Sequence, residues 1–302
     1  MSAETQAADP NDFLVYNYDL VIGSGPELPG RLFVPPNYDP TKSYPLVMSY
    51  HGLGGKGRDN ARQVQIAFND RIYNKANDAA IEDFFLYAPQ SGGGWWSGSQ
   101  MQQSMNVVYQ ATLDYNIDPN RLYIVGNSSG GGGTWKVAAK YHDILAAAIP
   151  VAGAGYPITV ESGQALAGEP LWAFHARNDT TVGATFSRRM VNQIRQVSSL
   201  PAWTFPNDSM TDFFDEENNL RYTDYATGGH GIGASRIFNN APVYDWLFAQ
   251  SSPGLPALEA GERMLFDIGG TSLFDQNKLF EIDEVGNYWN TLERGNERTL
   301  GV

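Results

Sequence analysis

The stretch Arg121 to Trp135 constrains this chain more than any other. A short β-branched and aromatic run, Leu122 to Val125, stops at Gly126, and Asn127-Ser128-Ser129-Gly130 and further glycines follow. The run reads as a buried strand ending at a polar, glycine-dense turn. Beyond it, Trp135, Val137, Ala138, Ala139 and Tyr141 can wind into a helix. Gly126-x-Ser128-x-Gly130 therefore sits in a strand-turn-helix setting, that of a nucleophile elbow, with Ser128 as the candidate nucleophile. Side chains two positions either side of the serine would collide with the adjoining strand and helix, so both flanks call for glycine. The register is fixed as well, because a nucleophile at Ser129 would need glycine where Asn127 stands. The bland alternative is a chance match in a chain with 32 glycines, and the remaining residues must decide.

A chain of 302 residues with 42% hydrophobic and 18% charged residues is long enough for one large core, or for one domain with a small appendage. The formal net charge of −13 argues against nucleic acid or an anionic membrane surface as partner. With no cysteine, disulfides, thiolate metal sites and a cysteine nucleophile are excluded. Met1 to Asp12 lacks the basic start and apolar centre of a signal peptide, and no later segment has the length to span a bilayer. The chain reads as soluble as given. A removed leader, and with it a secreted or periplasmic location, stays open, as does the oligomeric state.

Phe13 to Ile22 reads as a strand, followed by a turn and a second strand around Arg31 to Val34. A third apolar run, Pro45 to Tyr50, leads into His51-Gly52-Leu53-Gly54-Gly55-Lys56-Gly57. Gly52, Gly54 and Gly57 fit a dinucleotide fingerprint, but that fingerprint wants an acidic residue closing the next strand, and Asp83 to Ala88 ends in Pro89-Gln90. The other reading is an oxyanion-hole loop of the His-Gly-x-Gly kind, with the backbone N–H groups of Leu53 and Ser129 as donors. His51 then braces the loop, since the base of such a triad comes last in chain order.

Asn60 to Ala80 contains a helix ahead of the Phe84–Tyr87 strand. Trp95 and Trp96 follow in a glycine-rich loop, where two adjacent rings cannot both enter one core from a regular element. At least one belongs on a surface or cleft, the alternative being a ring over the edge of the core. With Gln90, the two tryptophans are candidates for substrate binding. Met101, Met105, Val108, Tyr109 and Thr112 mark a packed helix face. Asp118-Pro119-Asn120 is the turn that delivers the chain to the elbow strand.

After the elbow, Ala146 to Val151 makes a strand. The apolar run from Leu171 breaks into polar residues at its carboxyl end, where a parallel sheet gathers ligands and catalytic groups. That end carries Asp179, a candidate triad acid whose structural alternative is a turn aspartate capping Thr180-Thr181. The acids next in line are Asp208 and Asp212. Asn207 to Asn219 reads as an acidic, irregular, solvated loop without calcium-loop spacing. Arg221 to Tyr225 is a late strand leading to Gly228-Gly229-His230-Gly231. A histidine between loop glycines is poorly explained by packing and well explained as an imidazole delivered to a site. Of four histidines, His142 sits at a helix exit and His175 within a strand, which leaves His230 as the base. The order Ser128, Asp179, His230 is that of the α/β hydrolases.

From about Pro45 to Gln250 the chain resembles the bacterial α/β-hydrolase esterases grouped as predicted peptidases, related to polyhydroxybutyrate-depolymerase-like and feruloyl-esterase-like enzymes. The resemblance rests on Pro-Leu-Val-Met-Ser-Tyr-His-Gly-Leu-Gly with Asp59-Asn60, on Ala88-Pro-Gln90 with a following Trp, and on Asp118-Pro-Asn-Arg-Leu-Tyr-Ile-Val-Gly-Asn-Ser-Ser-Gly-Gly with Gly133-Thr-Trp135. Ser187-Arg-Arg-Met190 and Tyr244-Asp-Trp-Leu-Phe248 complete it. It implies a mostly parallel central sheet with helices on both faces, a Ser128, Asp179, His230 triad, and an oxyanion hole fed by His51-Gly52-Leu53. It implies hydrolysis of carboxylic esters through an acyl-enzyme, with no metal and no cofactor. The family usually has His-Gly where His175-Ala176 stands, a bulky residue at Ser129, and a tryptophan near Gly231-Ile232-Gly233. The last two positions line the family's cleft, so substrate preference is not inherited.

The expected organisation is a catalytic domain over 1–250 and, over 251–302, a linker with a short β-containing extension, either packed on the domain or the start of a β module. Aryl, feruloyl or acetyl esters, free or on a plant polysaccharide or polyester, are the substrate classes. A peptidase with the same triad and a silent hydrolase fold binding carbohydrate at Trp95 and Trp96 are the rival readings.

Overall fold

A computed structural model describes residues 8–22, 27–153, 159–206 and 210–252. The extension expected past Gln250 lies, from residue 253, outside the described residues.

Strand and helix alternate along most of the chain. The order is β1 (Leu14–Val15), α1 (Tyr18–Ile22), β2 (Gly30–Phe33), β3 (Tyr44–Tyr50), α2 (Arg62–Gln65), α3 (Ala67–Ala76), β4 (Phe85–Pro89) and α4 (Gly98–Asp114). Then come β5 (Ile117–Asn127), α5 (Ser129–Lys140), β6 (Ala147–Val151), α6 (Val160–Ala165), β7 (Leu171–Ala176), α7 (Thr185–Val197), β8 (Thr211–Asp215), β9 (Leu220–Tyr225) and α8 (Ala241–Phe248). The strands form a nine-stranded sheet ordered β1-β2-β4-β3-β5-β6-β7-β9-β8. From β4 through β9 the pairing is parallel, and β1, β2 and β8 pair antiparallel at the edges.

Strands β3, β4, β6 and β7 are buried along their whole length, as parallel strands covered on both faces must be. Alternate residues feed two cores. Leu46, Met48, Leu122 and Ile124 pack with Met101, Met105 and Val108 of α4, Trp135 and Ala138 of α5, and Met190 and Ile194 of α7. Val47, Tyr123 and Val125 face the other way, onto Phe68 and Ile72 of α3 and Val243, Tyr244 and Leu247 of α8.

Two segments differ from the sequence expectation. Phe13 to Ile22 was expected as one strand, but only Leu14–Val15 pairs with β2, and Tyr18–Ile22 is helical. The break sits at Asn17, whose Oδ1 accepts the Gly30 N–H at 3.0 Å, a donor that a continuing strand would have used. Asn207 to Asn219 was expected as an irregular loop, yet Thr211–Asp215 is the edge strand β8. Its acids do not hold it off the sheet because each meets a guanidinium. Asp212 pairs with Arg221, and Asp215 lies 2.7 Å from Arg195, while Phe213 packs on Tyr222.

The turn from β5 into α5 leaves no room for side chains. A Cβ on Gly126 would drive into the Gly130 carbonyl and the Thr134 hydroxyl, and one on Gly130 into the Tyr50 carbonyl of β3. That packing tilts Ser128 to φ 61 and ψ −122, a strained conformation for a non-glycine residue costing about 1–3 kcal/mol. Gly130→Ala is expected to lose about 3 kcal/mol or more of folding stability in urea titration, since backbone must move to admit the methyl. Gly54→Ala, with nothing within 4 Å of the new Cβ, should stay within about 0.5 kcal/mol of wild type.

Candidate active site

Three loops at the carboxyl ends of the parallel strands meet at the elbow. Ser128 follows β5, Asp179 follows β7, and His230 follows β9. Ser128 Oγ lies 2.7 Å from His230 Nε2, and His230 Nδ1 lies 2.7 Å from Asp179 Oδ2. The carboxylate divides its work between its oxygens. Oδ1 accepts the N–H groups of Thr181 and Val182, both at 2.9 Å, and Oδ2 faces the imidazole. Asp179 therefore both caps its own turn and meets the His230 imidazole. Burial would raise the Asp179 carboxyl, but the Val182 N–H, His230 and the Thr181 N–H together hold it below the usual carboxylate range. An ionised acceptor keeps the proton on His230 Nδ1 and leaves Nε2 free to take the one on Ser128. Asp212 is committed to Arg221 and Thr223 on β8, and Asp208 lies outside the described residues.

His230 sits in a tight turn, Gly229–Gly231, after Gly228 and Gly229 with φ of 135 and 60. The Asn178 Oδ1, beside the acid, accepts the Gly229 N–H at 2.8 Å and ties the histidine loop to the acid loop. Sequence reading missed Asn178, whose signal was only its place next to Asp179.

Gly52 is packed so closely on the elbow that a Cβ there would lie 3.0 Å from Ser128 Cβ and 3.1 Å from the Asn127 carbonyl. This brings the Gly52–Leu53 turn against the nucleophile. Ser129 opens α5, so its N–H is one of those without an intrahelical acceptor and lies at the positive end of the helix dipole. Ser129 is 3% exposed, with its Oγ lacking a hydrogen-bond partner among the described residues. Leu53–Gly55 forms a single 3-10 turn and opens no helix, which removes the dinucleotide-loop reading of Gly52, Gly54 and Gly57.

Two of the expected substrate contacts are corrected. Gln90 is fully buried, with Nε2 donating to the Gly55 carbonyl at 3.1 Å and to Asp59 at 2.8 Å, while Oε1 accepts the Asn60 N–H at 2.7 Å. Its amide is spent on bracing the loop. Trp96 is 2% exposed, stacks on Tyr50 at 3.8 Å and donates Nε1–H to the His51 carbonyl at 3.1 Å. A pair of stacking tryptophans is therefore not presented. Trp95 is 54% exposed, and the preceding Gly94 packs against Leu53, which is 44% exposed. Ile232, at a position expected to line the cleft, is buried in the core against α3 and α8.

His51 is the hub of the loop. Its Nδ1 donates to the Gly52 carbonyl at 2.7 Å and its Nε2 accepts the Ser91 N–H at 2.9 Å. Among the described residues no group of three or more His, Asp or Glu side chains is placed to hold a metal ion, and no helix is long and apolar enough to cross a membrane.

No protein-family model matches the chain. It is 24% identical over 214 residues to a bifunctional acetylxylan esterase/xylanase of Neocallimastix patriciarum, covering 68% of this chain and 28% of that protein. It is 29% identical over 127 residues to feruloyl esterase B of Piromyces equi, covering 39% of this chain and 22% of that one. The crystal structure of a thermostable esterase superposes with a TM-score of 0.65 at 29% identity, over 80% of this chain and 64% of the other. The chain has the α/β-hydrolase fold of these esterases. It spans between about a fifth and a third of the length of the two curated relatives.

Burial depresses the His51 imidazole to about 4, against an ordinary value near 6.5. A base depressed by folding is protonated first in the unfolded chain, so its stability contribution is full above pH 6.5 and drains away as pH falls toward 4. Between pH 7 and pH 5 the stability advantage of wild type over His51→Gln is expected to shrink by about 2 kcal/mol in urea titrations. An advantage that does not change with pH would show that His51 is not held neutral.

Proposed function

We propose that this chain is a serine carboxylesterase that works through an acyl-enzyme. The observation carrying the proposal is the unbroken line of contacts from Asp179 through His230 to a serine held in a strained elbow. His230 Nε2 takes the proton of Ser128 as Oγ attacks the ester carbonyl. In this reading the developing oxyanion is received by the N–H groups of Leu53 and Ser129, the first on the turn packed against Ser128 and the second at the start of α5. His230 then protonates the departing alcohol, and the same groups deprotonate a water that releases the acid. Asp179 holds the imidazole in the Nδ1–H tautomer and offsets its charge in each half-reaction.

The relatives named as acetylxylan and feruloyl esterases support acetyl and feruloyl esters, on xylan or as small molecules, as the substrate class. The exposed Trp95 beside the oxyanion loop supports an aromatic or sugar ring resting there. One further relative carries only the description of an uncharacterised secreted protein, from Arthroderma benhamiae, and supports secretion.

A panel of 4-nitrophenyl acetate, methyl ferulate, acetylated xylan and a peptide anilide tests the reading. Hydrolysis of one or more esters with little turnover of the anilide is the expected result, and a preference for the anilide would make the chain a peptidase. Asp179→Asn is expected to lower kcat on the best ester by on the order of ten thousand-fold with the fold intact, because the wrong tautomer is then presented to Ser128. A near wild-type rate in that variant would place the acid elsewhere.

A further inference from the structure

A second imidazole stands behind the proposed triad acid, on the face of β7 that meets α7. His175 is fully buried and lies opposite Asp224 of β9 in the strand register. Its Nδ1 is 2.8 Å from Ser187 Oγ on α7, and its Nε2 is 2.9 Å from the Val182 carbonyl oxygen. A carbonyl only accepts, so the proton sits on Nε2 and Nδ1 accepts from the Ser187 hydroxyl. The same Nε2 lies 3.4 Å from Asp179 Oδ2, the oxygen that meets His230. Val182 is thus held at both its backbone groups, its N–H by Asp179 Oδ1 and its carbonyl by His175.

We propose that His175 is a positioning residue for Asp179, acting through the Val182 backbone to fix the carboxylate where it meets His230. The proposal rests on the esterase reading of the site. The turn carrying Asp179 leaves β7 immediately after Ala176 and has no regular element to stiffen it. Its carboxylate has to be held against one imidazole edge, and the Nε2–H of His175, spent on the Val182 carbonyl, fixes the backbone whose N–H binds Asp179 Oδ1. A displacement on the order of an ångström at such an acid costs on the order of a hundredfold in rate.

The charges facing His175 are Asp179 and His230 from the site, Asp224 from β9, and the guanidiniums of Arg177 and Arg188. The last two lie 3.0 and 2.7 Å from Asp224 Oδ2. Burial is the main cause that keeps the His175 imidazole below its ordinary value. The neutral form is the one the geometry needs, because an imidazolium at 175 would compete with His230 for the same carboxylate oxygen. Without that bracing Asp179 meets His230 less squarely and offsets its charge less.

The test is steady-state hydrolysis of 4-nitrophenyl acetate across pH by wild type, His175→Leu, His175→Gln and Ser187→Ala, each with a thermal melt to establish folding. In His175→Leu the expected result is a kcat lowered on the order of tenfold to a hundredfold and a KM within about twofold of wild type. The acid limb of kcat/KM should move to lower pH. Gln places an N–H near the Nε2 position and should restore most of kcat and the wild-type limb. Ser187→Ala, which only frees the ring to turn, is expected to lose roughly fivefold in kcat. A folded His175→Leu with wild-type kcat and acid limb overturns the proposal, and so does a Gln variant no better than Leu. If His175→Leu does not fold, an unchanged kcat and limb in Ser187→Ala overturns it instead. No ester hydrolysis by wild type would defeat the esterase reading itself, an outcome distinct from an active wild type indifferent to residue 175.

Discussion

The contact that the rest of this molecule depends on is backbone against backbone, where α5 leaves β5 and runs beside the end of β3. Glycine at 126 and 130 lets the Gly130 and Tyr50 carbonyls approach as no side chain would allow, and the chain at Ser128 is bent to positive φ as the cost of that fit. The strain is held in place by two hydrophobic layers, one on each face of the sheet, which cannot relax without opening. The same bend lifts the serine hydroxyl out of the sheet toward the loops that follow the neighbouring parallel strands. Parallel topology then does the gathering, since every strand from β3 to β9 in the central run ends on the same side.

Around that point the polar residues act at two depths. Ser128, His230 and Asp179 form the proposed reacting line, while His51, Gln90, Trp96 and Ser91 hold the Gly52–Leu53 turn and the loop after it. Asn178 ties the histidine loop to the acid loop, and His175 with Ser187 backs the acid from the α7 side. Apart from the exposed Asn178, these bracing residues are buried and largely satisfied by one another, so their energy goes into fixing geometry and little is left to bind a ligand. Specificity must then come from what remains exposed near the oxyanion loop, chiefly Trp95 and Leu53.

Much of this was legible in the amino-acid order because the signals were local. The β-branched runs of the parallel strands, the spacing of Met101, Met105 and Val108, and the glycine-flanked Ser128 and His230 each declare themselves within a few residues. What escaped reading depends on partners far along the chain. Thr211–Asp215 carries an acidic, loop-like sequence and becomes a strand only because Arg221 and Arg195 meet its charges. Asn17 ends β1 by reaching Gly30, and Trp96 looks like a platform until Tyr50 is stacked against it. His175 read as an ordinary strand residue because its link to Asp179 runs through Val182 and through a serine on the next helix.

The central claim is that Ser128 is an activated nucleophile, and covalent labelling with a fluorophosphonate probe followed by peptide mapping tests it most directly. The account predicts a single labelled peptide containing Ser128, with the label absent from a folded Ser128→Ala protein. A folded wild-type protein that takes no label, or that carries it on another serine, would contradict the account.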